Sequence, residues 1–486
     1  MIKTDLDRLF NPRGLALIGA SASPAKWGNV ILLNILKGAF RGEVYPINPK
    51  TESIYGYKCY QKVTDIPGPV DVALVTTPAQ LVSAIVDECG KKEIPFMVVV
   101  TSNFSEAGQL GTEMEEEVVR KAEKYGIRIV GPNTMGIFSA KSDLHALMPM
   151  VMPLQGPVSM FSQSGNVGVQ MLDYGEKENV GFEKFVSSGN EGDLTCVDYL
   201  QYFADDEDTK VIMGYVEGVG SNNNFLPISK EVSKKKPIVI MKGGRTQVGS
   251  SAAASHSGSL AGAVDINHAV FKQAGIVEVQ TSLELIDTAK AFANYPLPKG
   301  NRVGLITRGG GWGVITADSC EEAGLSVPPL SQEIIKKIDE MLPEYWNRSN
   351  PIDLVATISY DPFPEIMKMM AEWDGVDAVL ALGAGFKSFT YQHSKELEGP
   401  PELLEVIHKI DDVFRKSANQ PDRMLELISK LVRETGKPII SVSTGSDYSH
   451  SHYIENYGIV SFPTPERAVR VLKNMWEYSR FKASFQ

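Results

Sequence analysis

The chain has 486 residues, 43% of them hydrophobic and 22% charged, so it has the composition of an ordinary globular protein and is long enough for several hydrophobic cores. With 48 Lys and Arg against 59 Asp and Glu, the net charge of −11 opposes non-specific attraction to nucleic acid or to an anionic membrane surface. We therefore expect neither nucleic acid nor membrane among its partners.

Short apolar runs alternate with helical segments over the first part of the chain. Strands are predicted at residues 14–20, 43–47, 70–76, 96–101 and 127–130, and helices at 80–91 and 112–125. Such alternation is typical of βαβ units around a parallel sheet that is buried on both faces. A first α/β domain is predicted over residues 1–145.

The same alternation restarts twice, after stretches rich in Pro and Gly. Strands are predicted at residues 158–161, 182–187, 211–216 and 237–242, and then at 302–307, 378–382 and 438–443. Because Pro and Gly interrupt regular structure, the stretches at 149–157 and 295–300 are predicted to be linkers. Two further α/β domains follow, at residues 150–295 and 300–486, and the mostly helical segment 387–437 is interpreted as an elaboration of the last one.

The loops after the first four strands contain small and polar residues suited to ligand binding. The candidates are Gly19, Ala20, Ser21, Lys26, Asn48, Lys50, Thr76, Thr77, Pro78 and Asn103. The carboxyl ends of parallel strands meet at one edge of the sheet, where open α/β sheets bind ligands. Helix capping by Ser, Thr or Asn explains each loop about equally well when it is taken alone.

Lys50 indicates what kind of ligand this crevice takes. An NAD-binding domain places Asp or Glu after the second strand to hold the ribose hydroxyls, whereas here a cation stands at that place. A cation favours a phosphorylated ribose. The pattern therefore admits coenzyme A or NADP.

Two later strands lead into helix starts that are suited to binding phosphate. The first consists of Ser162, Gln163, Ser164, Gly165 and Asn166, and the second of Gly309, Gly310 and Gly311. A helix start offers free N–H groups and about half a positive charge. Trp312 is larger than we expect in such a turn. Ser164 does not resemble a hydrolase nucleophile, because Ser162 stands where G-x-S-x-G has its first glycine.

His256 lies in a segment of small side chains, residues 250–262. Such a segment buries little apolar area, so a mobile loop is predicted. A neutral imidazole is a good nucleophile toward phosphorus near pH 7. The alternative is a polar loop histidine without a role.

Taken together, five motifs resemble one known family. They are Gly19-Ala20-Ser21, Asn48-Pro49-Lys50, Gly131-Pro132-Asn133-Thr134-Met135-Gly136, Ser162-Gln163-Ser164-Gly165-Asn166 and Ala254-Ser255-His256-Ser257-Gly258-Ser259. In this order they resemble the α subunit of ADP-forming, or more generally NDP-forming, acyl-CoA synthetases of the succinyl-CoA synthetase superfamily. The resemblance covers nearly the whole chain.

The resemblance implies an architecture, a reaction and partners. It implies an N-terminal Rossmann-like CoA-binding domain followed by two flavodoxin-like ligase domains, with Asn133 at the CoA site. It also implies that His256 is phosphorylated, that Glu217 hydrogen-bonds it, and that the two helix starts hold the phosphoryl group. Carboxylic acid, CoA and ATP would interconvert with acyl-CoA, ADP and phosphate through an acyl phosphate. ATP or ADP with Mg²⁺ would bind an ATP-grasp β subunit, so a hetero-oligomer or dimer is expected.

Two other functions stay open on the sequence. A non-catalytic regulatory protein that binds acyl-CoA would have no use for His256 and Glu217. An NADP-dependent oxidoreductase would explain only the first domain.

Cysteine usage and hydropathy bear on location and metals. The four cysteines, Cys59, Cys89, Cys196 and Cys320, are far apart without CxxC spacing, so a reducing cytoplasm fits best. No h-region is present at the N-terminus, and no apolar run approaches the roughly 18 residues of a membrane span. His450 and His452 have an HxH spacing, but a surface turn is the better interpretation because no Cys or acidic cluster accompanies them. No metal site is predicted.

Overall fold

The computed structural model describes residues 6–218, 224–251, 264–355, 362–383, 399–406, 409, 420–443 and 453–485. The chain divides into two compact units, Met1–Ala289 and Lys290–Gln486. Three histidines singled out in the sequence, His256, His450 and His452, lie outside the described residues. Among the described helices none is both long and apolar enough to cross a membrane.

The first sheet is parallel throughout and has the order β2-β1-β5-β6-β7. Its strands are β1 (Gly14–Ile18), β2 (Glu43–Ile47), β5 (Val72–Val75), β6 (Phe96–Val99) and β7 (Arg128–Val130), with the small hairpin β3 (Ser53–Ile54) and β4 (Tyr57–Lys58) beside it. The helices are α1 (Asp7–Phe10), α2 (Trp27–Lys37), α3 (Ala79–Lys91) and α4 (Gln109–Tyr125). From β1 the chain passes to β2 on one side and then returns to β5 on the other side. The crevice between the carboxyl ends of β1 and β5 is therefore the expected ligand site.

The second sheet has the order β14-β13-β12-β10-β11-β8-β9. Its strands are β8 (Gly136–Ser139), β9 (Leu144–Leu147), β10 (Gln155–Ser162), β11 (Phe182–Ser187), β12 (Val211–Val216), β13 (Ile238–Lys242) and β14 (Val277–Val279). The helices are α5 (Gly165–Lys177), α6 (Cys196–Asp205), α7 (Phe225–Lys235), α8 (Val264–Ala274) and α9 (Ser282–Asn294). Strands β10 to β14 are parallel in a flavodoxin-like order, which confirms the predicted class.

The third sheet is again parallel, with the order β16-β15-β17-β18-β19. Its strands are β15 (Val303–Thr307), β16 (Ile352–Asp353), β17 (Ala378–Leu382), β18 (Ile439–Val442) and β19 (Ser461–Phe462). The helices are α10 (Gly310–Glu322), α11 (Gln332–Asp339), α12 (Phe363–Glu372), α13 (Gln420–Thr435) and α14 (Pro465–Ala483). Of the predicted elaboration 387–437, α13 is the long helix that falls in the described part.

One feature differs from the sequence prediction, namely the place where the second sheet begins. The hairpin β8-β9 falls largely inside the predicted first domain, yet β8 is hydrogen-bonded antiparallel to β11 of the second sheet. Its residues are buried throughout, so no amphipathic alternation marks them as an edge hairpin in the sequence. The domain bounds 1–145, 150–295 and 300–486 themselves stay a prediction.

The inner strands of the three large sheets are largely buried. All residues of β1, β5, β6 and β15 are buried, and the cysteines Cys59, Cys89, Cys196 and Cys320 are buried and free. The continuous apolar runs seen in the sequence are what a doubly covered parallel sheet requires. The strand ends, where those runs stop, are therefore where polar groups can gather.

Candidate functional site

The crevice of the first sheet is formed by backbones in very close approach. Gly19 follows β1 with φ +95°, and a Cβ on it would meet Thr76 Oγ1 at 2.6 Å. A Cβ on Gly28, at the start of α2, would meet the Gly19 carbonyl oxygen at 2.1 Å. Only glycine fits at these two positions. The packing leaves the backbone of this turn free of side chains, as close contact with a phosphate requires.

Asn48 holds the two loops of this crevice together. Its Nδ2 donates to the Ala20 carbonyl at 2.8 Å, and its Oδ1 accepts from the Lys50 N–H at 2.9 Å. The Thr76 hydroxyl donates to the Ile18 carbonyl at 3.1 Å. The structure thus brings predicted residues of three loops together: Asn48 contacts Ala20 and Lys50, and Gly19 lies against Thr76.

Other predicted residues line the rim of the crevice. The Ser21 carbonyl accepts a hydrogen bond from Asn29 Nδ2 at 2.9 Å, and the Thr77 carbonyl accepts one from Thr101 Oγ1 at 2.6 Å. Among the described residues the buried Thr77 hydroxyl has no hydrogen-bond partner. Four further candidates are exposed: Lys26, Lys50, Pro78 and Asn103. The two lysines are thus free to approach a phosphorylated ligand.

Asn133 takes part in an amide network between two loops. Its Nδ2 donates to Asn190 Oδ1 at 3.2 Å, and Asn190 Nδ2 donates to Glu106 at 2.7 Å and to Glu115 at 2.9 Å. This amide network joins the loop after β6 to the loop after β11. Asn133 thus connects the first two sheets, and its place at a CoA site stays a prediction.

The turn between β10 and α5 is held by its own hydroxyls. The Ser162 hydroxyl, which is fully buried, donates to the Ser164 carbonyl at 2.6 Å. Ser164 is the N-cap of α5, and its Oγ accepts from the Val167 N–H at 3.4 Å. The first N–H groups of the helix, including those of Gly165 and Asn166, have no intrahelical acceptor. These N–H groups, and not the Ser162 hydroxyl, are what the turn offers to an anion.

The polar groups of Gln163 are bonded to the end of β12, and its role in phosphate binding stays a prediction. Its N–H donates to the Tyr215 carbonyl at 3.1 Å, and its Nε2 donates to the Gly218 carbonyl at 2.8 Å. Its Oε1 accepts from the N–H groups of Glu217 at 2.6 Å and Gly218 at 3.1 Å. The side chain therefore links the end of β10 to the end of β12.

Glu191, in the loop after β11, has an unusual pKa and an unusual backbone conformation. Its Oε1 accepts from Ser188 Oγ at 2.8 Å and from the Cys196 N–H at 3.2 Å. Burial raises the pKa of Glu191 to about 7, although hydrogen bonds from Ser188 and Gln163 act in the opposite direction. Its φ of +55° is rare for a residue with a side chain. A carboxyl group of this kind is characteristic of functional sites.

Glu217 stands at the carboxyl end of β12, partly buried. Tyr215 OH donates to its Oε1 at 3.5 Å, and burial together with Glu217 raises the pKa of Tyr215 to about 12. A Cβ on Gly243 would meet Tyr215 OH at 2.4 Å and Glu217 Cγ at 3.5 Å. The chain that leaves β13 at Gly243 toward the segment of His256 thus passes directly beside Glu217.

Lys242, the last residue of β13, is a buried cation that the sequence analysis missed. It is 5% exposed, and its Nζ donates to the carbonyls of Glu217, at 2.6 Å, and Gly243. Burial lowers its pKa, and the charge of Glu217 opposes that effect. A lysine at a strand end before Gly-Gly was the available signal. Lys242 therefore ties the end of β12, at Glu217, to the end of β13, at Gly243.

The turn between β15 and α10 repeats the hydroxyl contact of the first helix start. Thr307 Oγ1 donates to the Gly309 carbonyl at 2.8 Å, and Gly309 is the N-cap of α10. Around a Cβ on Gly309 or Gly311 there is no heavy atom within 4 Å, whereas one on Gly310 would meet Asp353 Oδ2 at 2.9 Å. The space in front of this helix start is open.

A cavity of about 260 Å³ adjoins that turn. It is lined by Thr307, Arg308, Gly309, Trp312, Leu382, Gly383, Val442, Ser443 and Pro463. Among the described residues of this lining Arg308 carries the one charge, and its guanidinium lies 4.7 Å from the ring centre of Phe363. Trp312 is 45% exposed. The cavity combines a cation and an aromatic wall beside the start of α10, which suits an anion with a hydrocarbon part.

The chain is similar to known proteins along its whole length. Residues 13–140 match the family described as CoA binding domain, and residues 155–292 the succinyl-CoA ligase like flavodoxin domain. The chain is 34% identical to the α subunit of ADP-forming acetate–CoA ligase I of Pyrococcus furiosus, over 98% of each chain. It is 37% identical to the ADP-forming acetate–CoA ligase of Methanocaldococcus jannaschii, over 98% of this chain and 64% of that protein.

A solved structure shows the same likeness. It is the dinucleotide forming acetyl-coenzyme A synthetase 1 of Ca. Korarchaeum cryptofilum in complex with phosphate and ADP. The TM-score is 0.84 at 35% identity, over 99% of this chain and 98% of the other.

Proposed function

The chain belongs to the ADP-forming acyl-CoA synthetases of the succinyl-CoA synthetase superfamily, and from this membership we propose that it is the acyl-CoA-handling α subunit, with His256 as phosphoryl carrier. It is an acid–thiol ligase. The observation that carries the proposal is an end-to-end match to an α subunit in a chain whose Glu217 lies beside Gly243, where the chain leaves β13 toward the His256 segment.

The proposed reaction needs three transfers. The imidazole of His256 attacks the γ-phosphorus of ATP, and the bond to ADP breaks. A carboxylate oxygen then attacks the phosphorus of the phosphohistidine, which gives an acyl phosphate and frees the imidazole. Finally the CoA thiolate attacks the acyl carbon, a thioester forms, and phosphate leaves. Each step needs mostly positioning and charge stabilisation, because phosphoryl transfer leaves little covalent work for side chains.

The chain's own residues supply that positioning. The turn formed by Gly19 and Gly28 would hold phosphates of CoA. Lys26, just before Gly28, and Lys50, in the loop after β2, are exposed and would contact its 3′-phosphate. Glu217 would accept a hydrogen bond from His256 and fix its tautomer. The N–H groups at Gly165 and Gly310 would hold phosphoryl oxygens.

The cavity beside Trp312 is the proposed site for the hydrocarbon of the acid. About 260 Å³ is far more room than an acetyl group fills, and its described walls include the apolar side chains of Trp312, Leu382, Val442 and Pro463. An acid with a branched or aromatic tail would bury that tail against Trp312.

The remaining requirement is a nucleotide-binding partner. An α subunit matches this chain in full length, while a single-chain relative is longer, with this chain spanning 64% of it. We propose an ATP-grasp β subunit that binds ATP or ADP with Mg²⁺, in a hetero-oligomer. A cytoplasmic location is proposed too, supported by four free buried cysteines.

The test uses the half-reaction that needs no nucleotide. The chain is incubated with a panel of acyl-CoA thioesters and ³²P-labelled phosphate, so that acyl phosphate forms and passes its phosphoryl group to the histidine. We expect acid-labile, base-stable label on the wild-type chain, none on His256→Ala, and undiminished label on His268→Ala, since the His268 side chain is exposed in α8.

Two results would contradict the proposal. One is label on His256→Ala equal to that on the wild type. The other is a wild-type chain that takes no label from any thioester, nor from labelled ATP in the presence of the candidate β subunit.

A further inference from the structure

Gln163 is positioned to organise the backbone around Glu217. Its Oε1 accepts from two successive N–H groups, those of Glu217 and Gly218, and its Nε2 donates to the Gly218 carbonyl. Its own N–H donates to Tyr215. Four hydrogen bonds thus tie one residue of the α5 turn to residues 215–218. The backbone there has little freedom as long as the amide is present.

These same contacts fix which way the Gln163 amide faces. Its oxygen accepts from the N–H groups of Glu217, at 2.6 Å, and Gly218, at 3.1 Å, and its nitrogen donates to the Gly218 carbonyl at 2.8 Å. An amide oxygen only accepts and an amide nitrogen only donates, so the amide cannot be turned over without losing all three bonds.

We propose that Gln163 is a positioning residue for Glu217. This inference rests on the proposed function, in which Glu217 orients His256. The α5 turn then does more than offer N–H groups to a phosphate: it sets the place of the carboxyl group that holds the phosphoryl carrier. Removing the amide would leave two backbone N–H groups without an acceptor and let the segment shift.

The experiment is a double-mutant cycle on the rate at which ³²P appears on the chain from acyl-CoA and phosphate. We expect Gln163→Ala to slow labelling about 30-fold, with the concentration of acyl-CoA for half-maximal rate changed less than about twofold. Gln201→Ala is the matched control, because Gln201 is an exposed glutamine in the same unit, and it should label at the wild-type rate.

The cycle separates a positioning role from an independent one. In a Glu217→Ala background, adding Gln163→Ala should slow labelling less than about threefold further, because the group it positions is gone. Losses that multiply, or a Gln163→Ala rate equal to the wild type, would overturn the inference. Absence of label on the wild type itself would instead count against the proposed function.

Gln163→Glu provides a second variant in case Gln163→Ala does not fold. It keeps an acceptor for Glu217 and Gly218, but it loses the donor to Gly218 and places a carboxylate oxygen against the Gly218 carbonyl. We expect labelling to be slowed at least fivefold, because two acceptors then face each other. A Gln163→Glu rate equal to the wild type would overturn the inference as well.

Discussion

The two helix starts at the ends of β10 and β15 are built alike and used differently. In both, a hydroxyl at the strand end donates to a carbonyl two residues on, from Ser162 to Ser164 at 2.6 Å and from Thr307 to Gly309 at 2.8 Å. The α5 turn is then closed by the side chain of Gln163, which bonds to the end of β12. The α10 turn has open space instead.

This difference separates two tasks that the same local structure can perform. A turn whose side chains are fully bonded can hold another catalytic group in place, because its neighbours cannot move independently. A turn of glycines with free space in front can admit a ligand, because the first N–H groups of a helix have no intrahelical acceptor. The three predictions that follow address the open turn first and the closed turn last.

The largest effect is expected from Gly311→Ala. No heavy atom lies within 4 Å of a Cβ there, so the substitution should be accommodated, and replacing a helical glycine should stabilise the second unit by about 0.5 to 1 kcal/mol. If a phosphoryl group uses this turn, its approach would be blocked, and kcat should fall about 100-fold. Thermal melting and labelling kinetics measure the two effects.

Ser319→Ala is the matched control for that substitution, since it raises helix propensity in α10 away from the turn. It should leave kcat unchanged. A Gly311→Ala variant with wild-type kcat would mean that the open turn does not bind the phosphoryl group.

A smaller effect is expected from Trp312→Ala on the choice of acid. Removing the aromatic wall should lower kcat/KM for an aryl carboxylic acid about tenfold, while leaving the value for acetate within about twofold. Assays of the reconstituted complex with both acids give the ratio. Val314→Ala, an exposed position in α10 that does not line the cavity, should not change it. An equal loss for both acids would remove the cavity from acid recognition.

The smallest effect concerns stability near the closed turn. The folded pKa of Glu191, about 7, lies above that of an unfolded glutamate, about 4.3. The stabilisation of the folded state by the protonated form is therefore complete below about pH 4.3 and is lost as the pH rises to about 7. Relative to Glu191→Gln, the wild type should lose about 1 kcal/mol over that range, because partial exposure reduces the full effect.

Calorimetric melting of both proteins from pH 5 to pH 8 checks that sign. The melting temperature of Glu191→Gln relative to wild type should rise by roughly 2 °C with pH. Glu116→Gln, an exposed carboxylate in α4, should show no such trend. A difference that is constant with pH would mean that Glu191 ionises like an exposed glutamate.

Strands and crevices were largely predictable from the sequence, but side-chain partnerships were not. Strands β12 and β17 have the predicted bounds, because a strand covered on both faces is a continuous apolar run. Strand β11 also has the predicted bounds, although it contains Glu183 and Lys184. The loops that contain Asn48 and Thr76 both contact the end of β1 in the first crevice, since Asn48 bonds to Ala20 and Thr76 bonds to Ile18. The hairpin β8-β9 escaped prediction, since its place is set by pairing with β11.

The sequence by itself determined the α/β class, the glycines at the turns and the histidine as the candidate nucleophile, because periodicity and residue type are local properties. Only the tertiary structure decided that Gln163 faces Glu217, that Lys242 is buried against two carbonyls, and that Gly309 and Gly311 face open space. The contacts of Gln163 and Lys242 join strand ends that are far apart in the chain. Their partners are fixed by sheet order and register, which no local pattern encodes.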